Sequence, residues 1–227
     1  MYKLQGMVIG QFISSRFVPL YPHQQVAEAL ASMHNQHVQE LPVVAEDHFT
    51  YLGIATEAQL NDFPPTLRIG EIPMGEHKPA ISIQANLFDA LRVYQQNQLS
   101  VIPVLDEAEH YVGTVTMDKL LEGLAKMMNV QEPGAIIQLQ MAAHDYMLSD
   151  IARLAELNDV RILNISTLYD STRDIVNVYL KTNRMDVQAL VATYARYHYQ
   201  VVQVYAQESP IDSLRDNYDM LMNYINM

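Results

Sequence analysis

At 227 residues the chain is long enough for two compact domains, each with its own core. It carries 14 basic against 26 acidic side chains, a formal net charge of −12, split as 7 and 14 up to residue 130 and 7 and 12 beyond it. Neither part can neutralise a nucleic-acid backbone or an anionic bilayer, so the sequence excludes both as partners, and the absence of cysteine excludes disulfides and thiolate chemistry and fits a reducing cytoplasm.

Residues 1–13 hold one lysine and a broken apolar run, which does not read as a secretory signal, and no stretch nears the length of a membrane span. Phe17-Val18-Pro19-Leu20 reads as a short extended piece, after which Val26, Ala29, Leu30 and Met33 fall on one helical face. Strands at 41–44 and 51–55 follow, joined by a polar turn, and a helix near 57–62 stops at Phe63-Pro64-Pro65. The succession is then written again. An extended piece at 79–83 leads to a helix with Leu87, Ala90, Leu91 and Tyr94 on one face, then strands at 102–105 and 111–115 and a helix over 117–128.

The two stretches are copies. Leu41-Pro42-Val43-Val44 answers Ile102-Pro103-Val104-Leu105, and Tyr51-Leu52-Gly53-Ile54-Ala55-Thr56 answers Tyr111-Val112-Gly113-Thr114-Val115-Thr116. The offset is 61 up to the prolines and 60 from the glycines onward, so one copy holds an extra residue in the turn between. A repeated βαββα unit implies two similar lobes packed as a pseudo-twofold pair, with a cleft where they meet.

Val130-Gln131-Glu132-Pro133-Gly134 reads as a domain boundary. Beyond it the pattern is strand 135–141, helix 148–157, strands 160–168 and 174–181, helix 186–197 and strand 199–206. That is the split βαββαβ order of a ferredoxin-like domain. Glu208-Ser209-Pro210 then caps an amphipathic helix with Leu214, Tyr218, Leu221, Met222 and Ile225. The expected fold class is α+β, with domains at 13–70, 71–130 and 131–207 and a terminal helix over 208–227.

On the apolar-Pro-Val and apolar-Gly-x-x-Thr elements of both copies, residues 13–128 resemble a tandem CBS domain pair, the Bateman module that binds adenosyl ligands. On element order, residues 133–206 are similar to an ACT-type regulatory domain, and the whole resembles the acetoin-utilisation B-type CBS–ACT proteins. The resemblance implies a regulatory protein that senses AMP, ADP, ATP or S-adenosylmethionine between the copies. It also implies a homodimer and a regulated protein partner yet to be identified. The family's strand-to-helix hydroxyl meets phosphate, and here it stands as Thr56 and Thr116. The family's ribose-binding aspartate, three residues on, is replaced by Gln59 and Lys119, and Asp118 sits one residue early, about 100° round a helix. Gln59 can still bond a ribose, and Lys119 can face a phosphate. Leu20 and Ile81 in the opening pieces, and Pro42 and Pro103 beside the cleft carbonyls, complete the candidate set. In the ACT-like part, Tyr146 falls where amino-acid-binding members place a glycine, which argues against amino-acid capture.

Each threonine also serves as a helix N-cap, which explains it without a ligand. His34 and His37, with Glu40 one turn on, have a spacing that can hold a metal but no further ligand, and read as surface polarity. No Gly-rich phosphate loop, Gly-x-Ser-x-Gly elbow or His-Glu-x-x-His is present, so no enzyme is expected. Tyr194, Tyr197, Tyr199, Tyr205, Tyr218 and Tyr224 suit an interface. A ligand-free CBS/ACT scaffold for dimerisation or docking is the alternative reading.

Overall fold

The computed structural model describes residues 7–14 and 16–206; the helix expected over 208–227, with Tyr218 and Tyr224, lies outside them. Backbone contacts divide the chain into two units, Met1–Leu124 and Ala125–Met227.

In the first unit one copy contributes α1 (Val26–Gln36), β1 (Glu40–Val44), β2 (Tyr51–Thr56) and α2 (Glu57–Leu60). The other contributes β3 (Ile81–Ser82), α3 (Leu87–Asn97), β4 (Val101–Leu105), β5 (Tyr111–Thr116) and α4 (Met117–Met127). Both long helices start from reciprocal caps, Gln25 with Glu28 and Asn86 with Asp89, which satisfy the first free amides. Both end in a left-handed residue, His37 at φ 58° and Gln98 at φ 54°. Val26, Ala29 and Met33 are buried from α1, and Leu87 and Ala90 from α3.

Each copy is a hairpin with a bulge at the same place, between Val43 and Val44 and between Val104 and Leu105. The opening strand is shorter than the sequence pattern implies. β3 has two residues, and its counterpart is a single parallel bridge from Leu20 to Val43. Proline explains the limit. Leu20 N–H donates to the Pro42 carbonyl and Val44 N–H to Leu20, so the side of β1 that meets the opening segment is the side on which Pro42 lacks an N–H. The second helix of the first copy, expected over 57–62, is a single turn.

The segments just before each copy pack crosswise. Ile9 and Phe12 belong to the core of the second copy with Ile81, Leu87, Ile102 and Val115. Ile69 and Ile72 belong to the core of the first with Leu20, Met33, Leu41 and Ala55. The crossing strap passes over the strand glycines. A Cβ on Gly113 would meet Ile13 Cγ2 at 2.5 Å, and one on Gly53 would meet Met74 Cβ at 3.2 Å. The copies also touch through their hairpins, where Thr50 bridges His110 and Tyr111 N–H donates to the Phe49 carbonyl at 2.7 Å. Val44, Tyr51 and Tyr111 fill the small core between them.

The second unit is a four-stranded sheet with helices on one face. It comprises β6 (Ile136–Ala142), α5 (Leu148–Leu157), β7 (Ile162–Asp170), β8 (Ile175–Thr182), α6 (Gln188–Arg196) and β9 (Gln200–Tyr205). The strand order is β7-β8-β6-β9 with every neighbouring pair antiparallel. Alternation places Ile137, Leu139, Val176, Val178 and Leu180 against Ile151, Leu154 and Leu190. Tyr194 is fully buried there, donates its hydroxyl to the Ile151 carbonyl at 3.0 Å and packs edge-on against Tyr199. That tyrosine is core, whereas Tyr197 and Tyr205 stay half exposed. No helix among the described residues is long and apolar enough to cross a membrane.

Candidate functional site

A cleft of about 350 Å³ lies between the two copies of the first unit. One wall is Thr116, Met117, Asp118 and Lys119, where β5 turns into α4. The opposite wall is the end of α1, Gln36 to Val38, together with Ser14, Arg16 and Phe17; Ser100 and Val101 form the floor. Of the residues singled out for ligand binding, this brings together Thr116, Asp118 and Lys119.

The others stand elsewhere. Thr56 caps α2, its hydroxyl accepting from Gln59 N–H at 3.2 Å, and the Gln59 amide donates to the Pro73 carbonyl at 3.3 Å. Ile81, Pro42 and Pro103 are buried in the strands, and Leu20 is buried at its bridge to Val43. Thr116 also caps its helix, accepting from Lys119 N–H at 3.4 Å. The Lys119 ammonium lies 2.8 Å from Glu122 Oε2, with both side chains about half exposed.

Glu40 is the site residue that sequence reasoning missed. Read as a possible third ligand on a helix with His34 and His37, it instead opens β1, because the left-handed His37 has ended α1. Only 5% of Glu40 is exposed. Its Oε1 accepts from Ser100 N–H, from Ser100 Oγ at 2.7 Å and from Val101 N–H at 3.1 Å. Ser100 in turn accepts from Met117 N–H, the first residue of α4, at 3.4 Å. A carboxylate of the first copy thus fixes the floor of the cleft and, through Ser100, the start of the helix that walls it. The signal was present: Glu40 heads an apolar run whose repeat mate begins with Val101. No group of His, Cys, Asp and Glu able to hold a metal ion occurs among the described residues.

In the small core between the hairpins, burial raises the Tyr51 hydroxyl, which donates to the Pro79 carbonyl at 2.9 Å. Burial, followed by the neighbouring Tyr21, pushes Tyr111 up to about 12. Among the described residues neither the Tyr111 nor the Thr114 hydroxyl, both buried, finds a hydrogen-bond partner. In the second unit a larger hollow of about 760 Å³ runs between α5 and β7, bordered by Leu148, Ala152, Ile162 and Ile165. None of the residues singled out for ligand binding lies there.

The first unit is therefore a duplicated βαββα module closed around a cleft. Residues 9–63 and 69–126 each match the family model of the CBS domain, and the chain carries a tandem CBS domain pair. No curated protein matches the chain. Among solved structures it is similar to a CBS domain pair/ACT domain protein from Thermotoga maritima, at 20% identity and a TM-score of 0.49, over 53% of this chain and 98% of that one. It is also similar to CBSX2 in complex with AMP, at 19% identity and a TM-score of 0.46, over 53% and 98%. A third is the cytosolic domain of the Mg2+ channel MgtE in complex with ATP, at 22% identity and a TM-score of 0.44, over 51% and 48%.

Proposed function

We propose that the protein is a non-catalytic regulator whose CBS pair senses an adenine nucleotide or related adenosyl ligand. The second unit acts as an ACT-like domain that relays the bound state or joins two chains, in the manner of the acetoin-utilisation B-type proteins. The division follows 13–70, 71–130, 131–207 and 208–227. The observation that carries the reading is the inter-copy cleft, with Thr116, Asp118 and Lys119 converging on it beside Arg16. Ligand binding there favours one packing of the two copies over another, and linkage passes that preference along the chain.

Calorimetric titration of the whole chain with adenosine, AMP, ADP, ATP and S-adenosylmethionine tests it. Binding of at least one, lost in Thr116→Val and Asp118→Ala, is the expected result. Silence across the panel removes the sensor reading.

The second reading is a ligand-free scaffold for dimerisation or partner docking. It is favoured by the bond from Gln59 to Pro73 and the pair between Lys119 and Glu122, which occupy two would-be ligand groups within the fold. A melting temperature indifferent to the whole panel supports the scaffold, since a ligand at 100 times its Kd adds about 2.7 kcal/mol.

A further inference from the structure

We infer that the cleft accepts a ligand bearing at most one phosphate group, such as an adenosine monophosphate or a sulfonium-bearing adenosyl compound, and rejects polyphosphates. The inference rests on the reading of the cleft as a ligand site and narrows its chemistry.

Binding a polyphosphate needs several free donors and cations converging on one place. Here several of those on the lining are already engaged. The Ser100 amide and hydroxyl and the Val101 amide, which form the floor, all point at Glu40. The Lys119 amide is directed to the Thr116 hydroxyl and its ammonium to Glu122. The Gln36 side-chain amide donates to Ser32 Oγ at 2.9 Å and contacts the Val18 carbonyl.

Among the described residues, the exposed cation that remains on the lining is Arg16, whose guanidinium lies 5.9 Å from the Phe17 ring centre. One guanidinium matches one phosphate-like group. Around it the balance is acidic. Asp118 is on the wall, Glu122 lies against Lys119, and the Glu40 carboxylate sits behind the floor with uncharged donors only. Asp118 can accept ribose hydroxyls or face a cationic sulfur, roles that a polyphosphate does not offer it. A cleft of about 350 Å³ also lies at the small end of ligand sites. The chain's −12 adds long-range repulsion of the same sign.

Calorimetry at fixed ionic strength should show affinity falling about tenfold for each phosphate added beyond the first, with S-adenosylmethionine at least as tight as AMP. ATP binding as tightly as AMP overturns the inference. A second arm does not depend on adenine. Inorganic tripolyphosphate should leave the melting temperature of the native chain unmoved but raise that of Glu122→Gln, in which Lys119 is released. A native chain stabilised as much as the variant, or a variant that gains nothing, overturns it. Silence with every adenosyl compound alongside the expected tripolyphosphate result removes the adenine reading and leaves the charge limit standing.

Discussion

Truncating Glu40 separates two accounts of the interface between the copies. If its carboxylate organises the cleft floor, Glu40→Ala strands the Val101 amide, which belongs to a fully buried residue, while the exposed Ser100 can turn its own amide and hydroxyl to water. A hydrogen bond to a charged acceptor is worth about 1.5–3 kcal/mol, and a stranded buried amide costs about 1–3 kcal/mol. Removing a carboxylate that is only 5% exposed relieves some desolvation, which offsets part of that loss. The net expectation is a loss of about 2–3 kcal/mol for Ala. Glu40→Gln keeps an oxygen in place and should lose about 1 kcal/mol. Because the chain has two units, a single unfolding midpoint is not adequate. Calorimetric melting resolved into two transitions, with amide exchange followed at Val101 and Met117, reads the right part of the molecule. A Glu40→Ala transition within about 0.5 kcal/mol of native, with exchange at Val101 unchanged, refutes the reasoning.

A Cβ added at Gly134 would run into the Thr182 carbonyl, where the start of β6 is bonded to the end of β8, so Gly134→Ala should lower the melting of the second unit by more than about 2 kcal/mol; an unshifted melt refutes the contact. Asp47 is held down to about 2, first by the Thr50 hydroxyl at 2.6 Å and then by the Thr50 and Phe49 amides, so its contribution is complete above the ordinary 3.8 and lost as pH falls towards 2. Nuclear magnetic resonance titration of the Thr50 amide should place that midpoint well under 3.8, and a midpoint at or above 3.8 would contradict it. Tyr111, raised by burial from 10.0 to about 12, keeps its proton in the folded chain after the unfolded chain has released it, so stability is intact below about 10 and falls as pH rises towards 12. Stability measured by chemical denaturation should fall over that window, more in the native chain than in Tyr111→Phe.

Local pattern carried the elements whose partners are local. The 3.6-residue recurrence of Val26, Ala29 and Met33, and of Leu87 and Ala90, marks α1 and α3 because one face of each meets its own hairpin. The extra residue in the first turn was also legible as a change of offset, and it has a use. His48 and Glu109 hold matching left-handed conformations at the longer offset, so the addition falls just after them, where the Phe49 carbonyl receives Tyr111 N–H from the other copy. The crosswise packing was not read, since Ile9-Gly10 and Ile69-Gly70 join cores some distance along the chain from their own positions. Their recurrence at an offset of 60 was the available trace. In the sequence Thr56 and Thr116 are equivalent, and as helix caps they are so in the structure. Only Thr116 meets the cleft described, because the difference is made by side chains sixty residues away.

The two copies agree in backbone and disagree in side chains at one place where they touch. The caps, the bulges and the strand glycines are matched pair by pair. Glu40 and its repeat mate Val101 are not, yet they are hydrogen-bonded to each other, so the pseudo-twofold axis passes between them. Had both positions kept a carboxylate, duplication would have driven two like charges together in a buried place, which low dielectric makes costly. With one carboxylate and one valine, the charge reaches across to the other copy's amides and no reciprocal bond can form. The same break in symmetry runs outward to Gln59, bonded to Pro73, against Lys119, paired with Glu122. A duplicated backbone offers two related sites, and a single acidic residue at the axis is enough to make them unequal. Under the sensor reading, the cleft walled by α4 is then the one whose floor both copies hold in common, so a ligand there bears on the packing of both.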